Sequence, residues 1–353
     1  MERWLEPLAL LHGPAAFQAV GAGAAMPLHG GSTAFALVRR IAEGRDLGVI
    51  PVSQVPEGWH DLLDNLTRRP GPFAGIQSDR PLIMGILNVT PDSFSDGGKH
   101  DSVQAAIAAG HAMLEAGADI LDIGGESTRP GSSPVDVETE KARILPVVRE
   151  LAKAAPLSVD TRHAKTMLAA LEAGAEIIND ITALRGDPDA SRVVARAEVP
   201  VILMHMRGLD PKSMQQGLVE GDIALDVAQF LRERVKIAGL MGIPSSRIAI
   251  DPGLGFGKTA AQNWQLIERL PLLMGIGCHV MMALSRKGFL GKLVDEAVPA
   301  ARVMPSAMAA AAAAAKGASI LRVHDVKETL QALAVWRAAE AGLEVDEDED
   351  AGE

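Results

Sequence analysis

Eight times between residues 82 and 324 a short apolar run breaks off into oxygen-, amide- or base-bearing side chains. Leu82-Ile83-Met84-Gly85-Ile86-Leu87 runs into Asn88-Val89-Thr90-Pro91-Asp92, and Leu121-Asp122-Ile123 into Gly124-Gly125-Glu126-Ser127-Thr128-Arg129-Pro130. Leu157-Ser158-Val159 meets Asp160, Ile177-Ile178 meets Asn179-Asp180, and Val201-Ile202-Leu203-Met204 meets His205. Ile248-Ala249-Ile250 meets Asp251-Pro252-Gly253, Val280-Met281-Met282-Ala283-Leu284 meets Ser285-Arg286-Lys287, and Ile320-Leu321 meets Arg322-Val323-His324. Helical stretches are expected between and after these runs, over 102–116, 137–154, 164–173, 188–197, 222–241, 260–269, 305–316 and 326–339. Eight strands alternating strictly with eight helices predict an α/β chain folded as a (β/α)8 TIM barrel rather than an open sheet. In such a barrel the polar strand ends share one face, where the chemistry sits. Gly117, Gly174 and Gly317 stand where helices should stop. The alanine run 309–315 suits a close-packed outer helix.

A chain of 353 residues, 48% of them apolar, can bury one large core. The single cysteine, Cys278, excludes an internal disulfide and reads as a small buried filler. No stretch has the basic flank or apolar length that export or membrane spanning requires, so a cytoplasmic protein is expected. The net charge of −11 is dominated by seven acids within residues 344–353, and the rest carries −4. That run reads as a solvated, disordered tail, and the charge argues against nucleic acid as a partner.

Three parts follow: an N-terminal extension over 1–75, the barrel over 76–342 and the acidic tail over 343–353. The extension lacks the strand-then-helix rhythm. Within it 34–42 suits a short helix and 49–52 a strand, with loops over 21–32 and 69–72; no constellation there carries chemistry.

Several barrel-mouth groups do. Asp160, Asn179 and Asp251 each close a strand and together suit a heterocycle rich in N–H donors, although each alone also suits a helix N-cap. Arg129, Lys287, Arg322 and His324 bring positive or protonatable groups to further strand ends, consistent with an anion such as phosphate or diphosphate or, singly, with surface ion pairs. Asn88 offers an oxygen to a Mg²⁺ that bridges phosphates. The stretch Gly253-Leu254-Gly255-Phe256-Gly257-Lys258-Thr259 fails the phosphate-loop pattern, because Pro252 stands where glycine is needed. It fits either a cradle for a flat ligand, with Phe256 as a ring face, or a plain tight turn. His205, flanked by two methionines, reads as a hydrogen-bonded structural histidine, and no zinc motif or nucleophile elbow occurs.

The blocks Met84 to Gly98 and Asp122 to Gly131 resemble the two signatures of the dihydropteroate synthase family. Ser158-Val159-Asp160-Thr161, Ile177 to Asp180, Leu203 to Met206, Asp251 to Lys258, Leu284 to Lys287 and Arg322 to Asp325 follow its later blocks in order, so the likeness spans about residues 81–340. The resemblance implies joining of p-aminobenzoate to 6-hydroxymethyl-7,8-dihydropterin diphosphate, with Mg²⁺ as cofactor, in a homodimer with helices 6 to 8 as the expected interface. It implies that Asp160, Asn179, Asp251 and Lys287 hold the pterin, with Met204 against its ring, and that Asn88 meets the metal. Arg129, Arg322 and His324 would grip the diphosphate. Thr128, Pro130, Phe256, Lys287 and Ser285 would shape the aminobenzoate pocket, and Asp160, Asp251, Lys287, Arg322 and His324 form the implied catalytic set. Two departures, an apparently longer loop at 209–212 and Met304-Pro305-Ser306, touch loop geometry and a subunit contact. A pterin-dependent methyltransferase acting on a corrinoid and a non-catalytic pterin-binding paralogue are the alternatives. Neither requires both the 127–130 and the 285–287 blocks.

Overall fold

The computed structural model describes residues 2–90, 99–126, 135–208 and 221–341. Eight parallel strands close into a barrel: β5 (Leu82–Asn88), β6 (Ile120–Gly124), β7 (Leu157–Asp160), β8 (Ile177–Asp180), β9 (Val201–Met204), β10 (Ile248–Asp251), β11 (His279–Met282) and β12 (Ile320–Val323). Pairing of β12 with β5, Ile320 beside Leu82, seals the ring. The alternation along the chain therefore folds as expected.

The two-residue period of a strand explains how this barrel makes a site. Leu121, Ile123, Val159, Leu203, Ile250 and Leu321 point outward into the apolar layer beneath the helices. Ile120, Ile177, Ile202, Ala249, Met281 and Ile320 instead form an inner cluster. Two residues further along, the same inner face carries Asp122, Asn179, Met204, Asp251 and Arg322. The interior is thus apolar at the bottom and mostly polar at the top. Phe73, 1% exposed, joins the bottom layer and plugs it.

The barrel helices are α3 (Lys99–Glu115), α4 (Val137–Leu151), α5 (Ala164–Glu172), α6 (Ala190–Ala197), α7 (Ile223–Leu240), α8 (Ala260–Glu268), α11 (Val303–Ala315) and α12 (Val326–Ala341). Two short helices, α9 (Pro271–Met274) and α10 (Gly288–Val294), were not foreseen. Gly117, Gly174 and Gly317 stop their helices at φ of 101°, 109° and 100°, as expected of a left-handed terminator. Six alanines of α11 are buried, which matches the close packing anticipated for that run. Cys278 is buried and burial pushes its thiol up to about 12, so it is an inert filler. Among the described residues no helix is long and apolar enough to cross a membrane. The acidic tail lies outside the described residues.

The N-terminal extension contains its own sheet. Strand β3 (Ala34–Ala42) pairs antiparallel with β1 (Arg3–Leu11) on one side, and with β2 (Met26–Pro27) and β4 (Arg45–Pro51) on the other. Helices α1 (Gly13–Gly21) and α2 (His60–Thr67) flank it. The strand expected over 49–52 is the end of β4, but the helix expected over 34–42 is wrong. Phe35, Val38 and Ile41 are buried at a spacing of three because both faces of β3 are covered, and periodicity cannot separate that from a helix.

The extension is fused to the barrel. Trp4, Leu5, Phe35 and Val38 share one continuous core with Val227, Leu231, Leu272 and Met274, each large side chain adding about 1.5–3 kcal/mol by burial. Glu6, 2% exposed, accepts from Arg269 Nε and Nη2 at 2.6 and 2.9 Å and from Arg39 Nη1 at 3.2 Å, while Arg269 Nη1 reaches Asp222 at 2.7 Å. Removing one member of a buried, hydrogen-bonded pair strands the other. Glu6→Ala should therefore lower unfolding free energy by about 3 kcal/mol, read as a lower urea midpoint with an unchanged slope. A midpoint within error of the parent would show that the pair does not fasten the extension.

Candidate active site

The side chain that organises the barrel mouth is Arg322, on the inner face of β12. Its Nε donates to Asp122 Oδ2 at 2.6 Å and its Nη2 to Asp160 Oδ2 at 3.0 Å. Asn179 Nδ2 donates to the same Asp122 oxygen at 3.0 Å. Strands 2, 3, 4 and 8 of the barrel are thereby tied by one network. Asp122 Oδ1 is buried and takes no hydrogen bond from the described residues. Asp251, at the end of β10, accepts the Gly253 N–H at 2.7 Å and interacts electrostatically with Lys287 and Arg322. Asp160, Asn179, Asp251, Lys287 and Arg322 thus converge as the sequence suggested.

Their charges do not cancel. Asp122, Asp160 and Asp251 face Arg322 and Lys287, and Lys258 also lies within electrostatic reach of Asp251 but is driven by burial well below its ordinary range; with Lys258 uncharged, full ionisation of the others leaves one surplus negative charge in a poorly solvated space. Burial, opposed by Arg322 and reinforced by Asp122, pushes Asp160 up to about 7. Burial also raises Asp251 against the pull of the Gly253 N–H and Lys287. Lys287 is brought down to about 8 by burial, with Asp251 resisting. Burial works against the charge of Arg322 too, but Asp122 and Asp160 outweigh it and hold its pKa above the ordinary value. A ligand edge presenting N–H donors or positive charge answers this surplus.

The strand 7 loop turns sharply at Arg286, whose φ is 60°, and Arg286 Nε is anchored on Asp325 at 3.0 Å. Ser285 Oγ accepts the His324 backbone N–H at 3.1 Å and lies 3.0 Å from His324 Nδ1, so the hydroxyl fixes the ring's orientation. Burial, followed by the nearby Arg286 and Arg322, lowers His324 to about 3. At neutral pH it is uncharged, and the hydroxyl of Ser285 is occupied in orienting it.

A flat apolar wall completes the site. Met204, Met206, Ile181 and Phe256 pack as one small cluster, and Lys287 Nζ lies 4.6 Å from the Phe256 ring centroid. Asn88 ends β5. A Cβ on Gly124 would meet Asn88 Oδ1 at 3.8 Å and Asp160 Cβ at 3.7 Å, ordinary contact distances, so the three residues lie side by side. Thr128, Arg129 and Pro130 lie outside the described residues, as does the loop at 209–212.

Asp122 escaped sequence reasoning because apolar neighbours disguise it. Its register was the available signal, two residues past inward-facing Ile120, as Asn179 is past Ile177 and Arg322 past Ile320. His205 is structural, as expected: its Nδ1 lies 2.9 Å from Lys258 Nζ, its ring meets Phe230 edge-on, and burial with Lys258 lowers it to about 2. Glu126, Glu140 and His163 also gather with ligand atoms within 4.8 Å of one another. Arg162 already grips Glu126, and Thr166 and His163 engage Glu140, which makes the group an internal ion-pair cluster.

Residues 84–324 match the model of the pterin binding enzyme family. A dihydropteroate synthase of Neisseria meningitidis serogroup C is 46% identical over 264 residues, covering 74% of this chain and 93% of the relative. The structure of Xanthomonas albilineans dihydropteroate synthase with 4-aminobenzoic acid superposes with a TM-score of 0.70 at 50% identity, over 74% of this chain and 94% of that one. The same enzyme in complex with 7,8-dihydropteroate gives 0.68 at 47% identity, over 75% and 96%. With this barrel, this mouth and these relatives, the chain belongs to the dihydropteroate synthase family of pterin-binding enzymes.

Proposed function

We propose that the barrel mouth transfers the pterin methylene of 6-hydroxymethyl-7,8-dihydropterin diphosphate to the amine of p-aminobenzoate, releasing diphosphate and forming 7,8-dihydropteroate for folate synthesis. The observation that carries this is the surplus buried negative charge around Arg322. Breaking the CH₂–O bond spreads positive charge over the pterin ring and leaves added negative charge on the departing diphosphate. Asp122, Asp160 and Asp251 stabilise the first, and Asn179 adds an amide donor and acceptor. Met204 lies against the ring. Lys287, Arg322, Arg129 and the neutral imidazole of His324 favour the second. The attacking aromatic amine is uncharged at neutral pH, so no side chain is needed as a strong base. Thr128, Pro130, Phe256 and Ser285 bound the aminobenzoate end, Ser285 through His324.

Mg²⁺ belongs to this reading. Asn88 provides a hard amide oxygen at the end of β5, and such a donor fits an ion that keeps mostly water and phosphate oxygens. When bound, the ion neutralises charge on the leaving diphosphate. The reading also includes a cytoplasmic homodimer. Helix α11 carries no charged residue, and its outer stripe exposes Met304 and Met308 at 76% and 62%, with Val335 of neighbouring α12 at 71%.

Three outcomes are expected. With the pterin diphosphate, p-aminobenzoate and Mg²⁺, the protein should release one diphosphate per aminobenzoate consumed; pterin binding without release would favour an inert paralogue, and methyl transfer from a folate to a corrinoid the other rival. Second, kcat/KM for the pterin substrate should rise as Asp160 ionises near pH 7 and fall as Lys287 loses its proton near pH 8. In Lys287→Arg the alkaline fall should vanish below about pH 10, because guanidinium keeps its charge; an unmoved alkaline limb would assign it to another group. Third, Met308→Glu should weaken self-association about a hundredfold in sedimentation experiments by placing a charge in a buried contact, and an unchanged dimer would move the interface elsewhere.

A further inference from the structure

The glycine-rich loop after β10 resembles a phosphate cradle in its letters but folds inside out. Its carbonyls, not its amides, converge. Lys258 Nζ donates to Gly253 O at 2.8 Å and Phe256 O at 3.0 Å, and lies 2.9 Å from His205 Nδ1 and 3.3 Å from His205 O. Burial drives Lys258 well below its ordinary range, and the two N–H bonds of an uncharged amine suffice for the carbonyls of Gly253 and Phe256. Gly253, at φ of 66°, makes the inversion possible: a Cβ there would stand 2.0 Å from His205 O. The chain is pinned on either side as well. Gly255 N donates to Asn263 Oδ1 at 2.7 Å, and Thr259 opens α8 with a capping box to Gln262. Lys258 is 4% exposed and touches neither Asp251 nor Lys287 by a hydrogen bond, so its N–H donors are spent on the loop itself.

We propose that Lys258 is a positioning residue: by binding the loop carbonyls and the end of β9 together, it fixes the Phe256 ring beside Met204 and Lys287, and so sets affinity for the aminobenzoate substrate without contacting it. The inference rests on the reading above, in which Phe256 bounds that substrate's pocket. Replacing the amine by an apolar group of similar length leaves the Gly253 and Phe256 carbonyls without their donor, and the loop then relaxes toward water. The backbone of Asp251 is held apart from the loop by its pairing beside Met204 in β9, with the His205 N–H on its carbonyl at 2.9 Å, which predicts a loss confined to one substrate.

The test uses the full chain in steady-state assays with both substrates varied. Lys258→Met should raise KM for p-aminobenzoate about tenfold, with KM for the pterin diphosphate and kcat within about threefold of the parent. In a Phe256→Ala background the same change should alter the aminobenzoate KM less than about twofold, because the group being positioned is gone. Equal rises in both KM values, a loss confined to kcat, or full additivity in the double variant would each overturn the proposal. His205→Phe, which keeps a ring but removes the Nδ1 contact to Lys258, covers the case in which Lys258→Met does not fold: it should show the same one-sided rise, about threefold, and an unchanged KM counts against the idea. Turnover by the parent chain separates two failures. Its absence removes the functional reading, whereas turnover with an undivided effect on KM removes only the role of Lys258.

Discussion

A guanidinium shared by two buried carboxylates is the constraint on which this barrel mouth depends. Arg322 binds Asp122 and Asp160, and Asn179 shares the Asp122 oxygen that Arg322 uses. Ion pairing in a weakly solvated interior is stable only when nearly every oxygen and proton finds a partner. Here one Asp122 oxygen does not, and Asp160 is driven toward protonation. The network holds the strands in place yet remains short of positive charge. That shortage suits a reaction whose slow step creates a cation, since the compensation is present before the bond breaks and little reorganisation is required.

The same charge balance favours charge stabilisation over proton transfer in the proposed reaction. His324 is the histidine at the mouth that most resembles a general base, but two arginines and burial keep it neutral, and Ser285 occupies its Nδ1. What remains is an uncharged imidazole of fixed orientation. Such a group orients an anion well and is poorly suited to removing a proton from an amine.

Much of this was legible in the sequence because a closed parallel barrel imposes two rules at once. Outward positions must be apolar to meet the helices, and inward positions are free to change character along the strand. The endings Asp160, Asn179, Asp251 and Arg322 are visible as breaks in apolar runs. Asp122 is not, because Leu121 and Ile123 on either side satisfy the outward rule and hide an inward acid. Strand β3 was misread for a related reason: with both faces covered, Phe35, Val38 and Ile41 lose the alternation that marks a half-buried strand. The convergence on Lys258 was likewise invisible, since the letters of a glycine-rich loop do not reveal which way its peptides face.

That last ambiguity bears on how the two ends of the site are built. The carboxylate end is made by strand residues, whose inward direction is fixed by pairing on both sides. The Phe256 wall is made by a loop, which has no such pairing. A loop rich in glycine loses more conformational freedom on ordering than any other sequence. Something must oppose that cost, and hydrogen bonds to the loop's outer edge would be solvent-competed and weak. A buried amine bonded to two carbonyls gives the loop contacts at its centre that water does not reach. With its N–H donors spent on the loop and its charge suppressed by burial, Lys258 leaves Asp251 to Gly253 and Lys287. The loop's order and the site's unspent negative charge therefore follow from the same lysine.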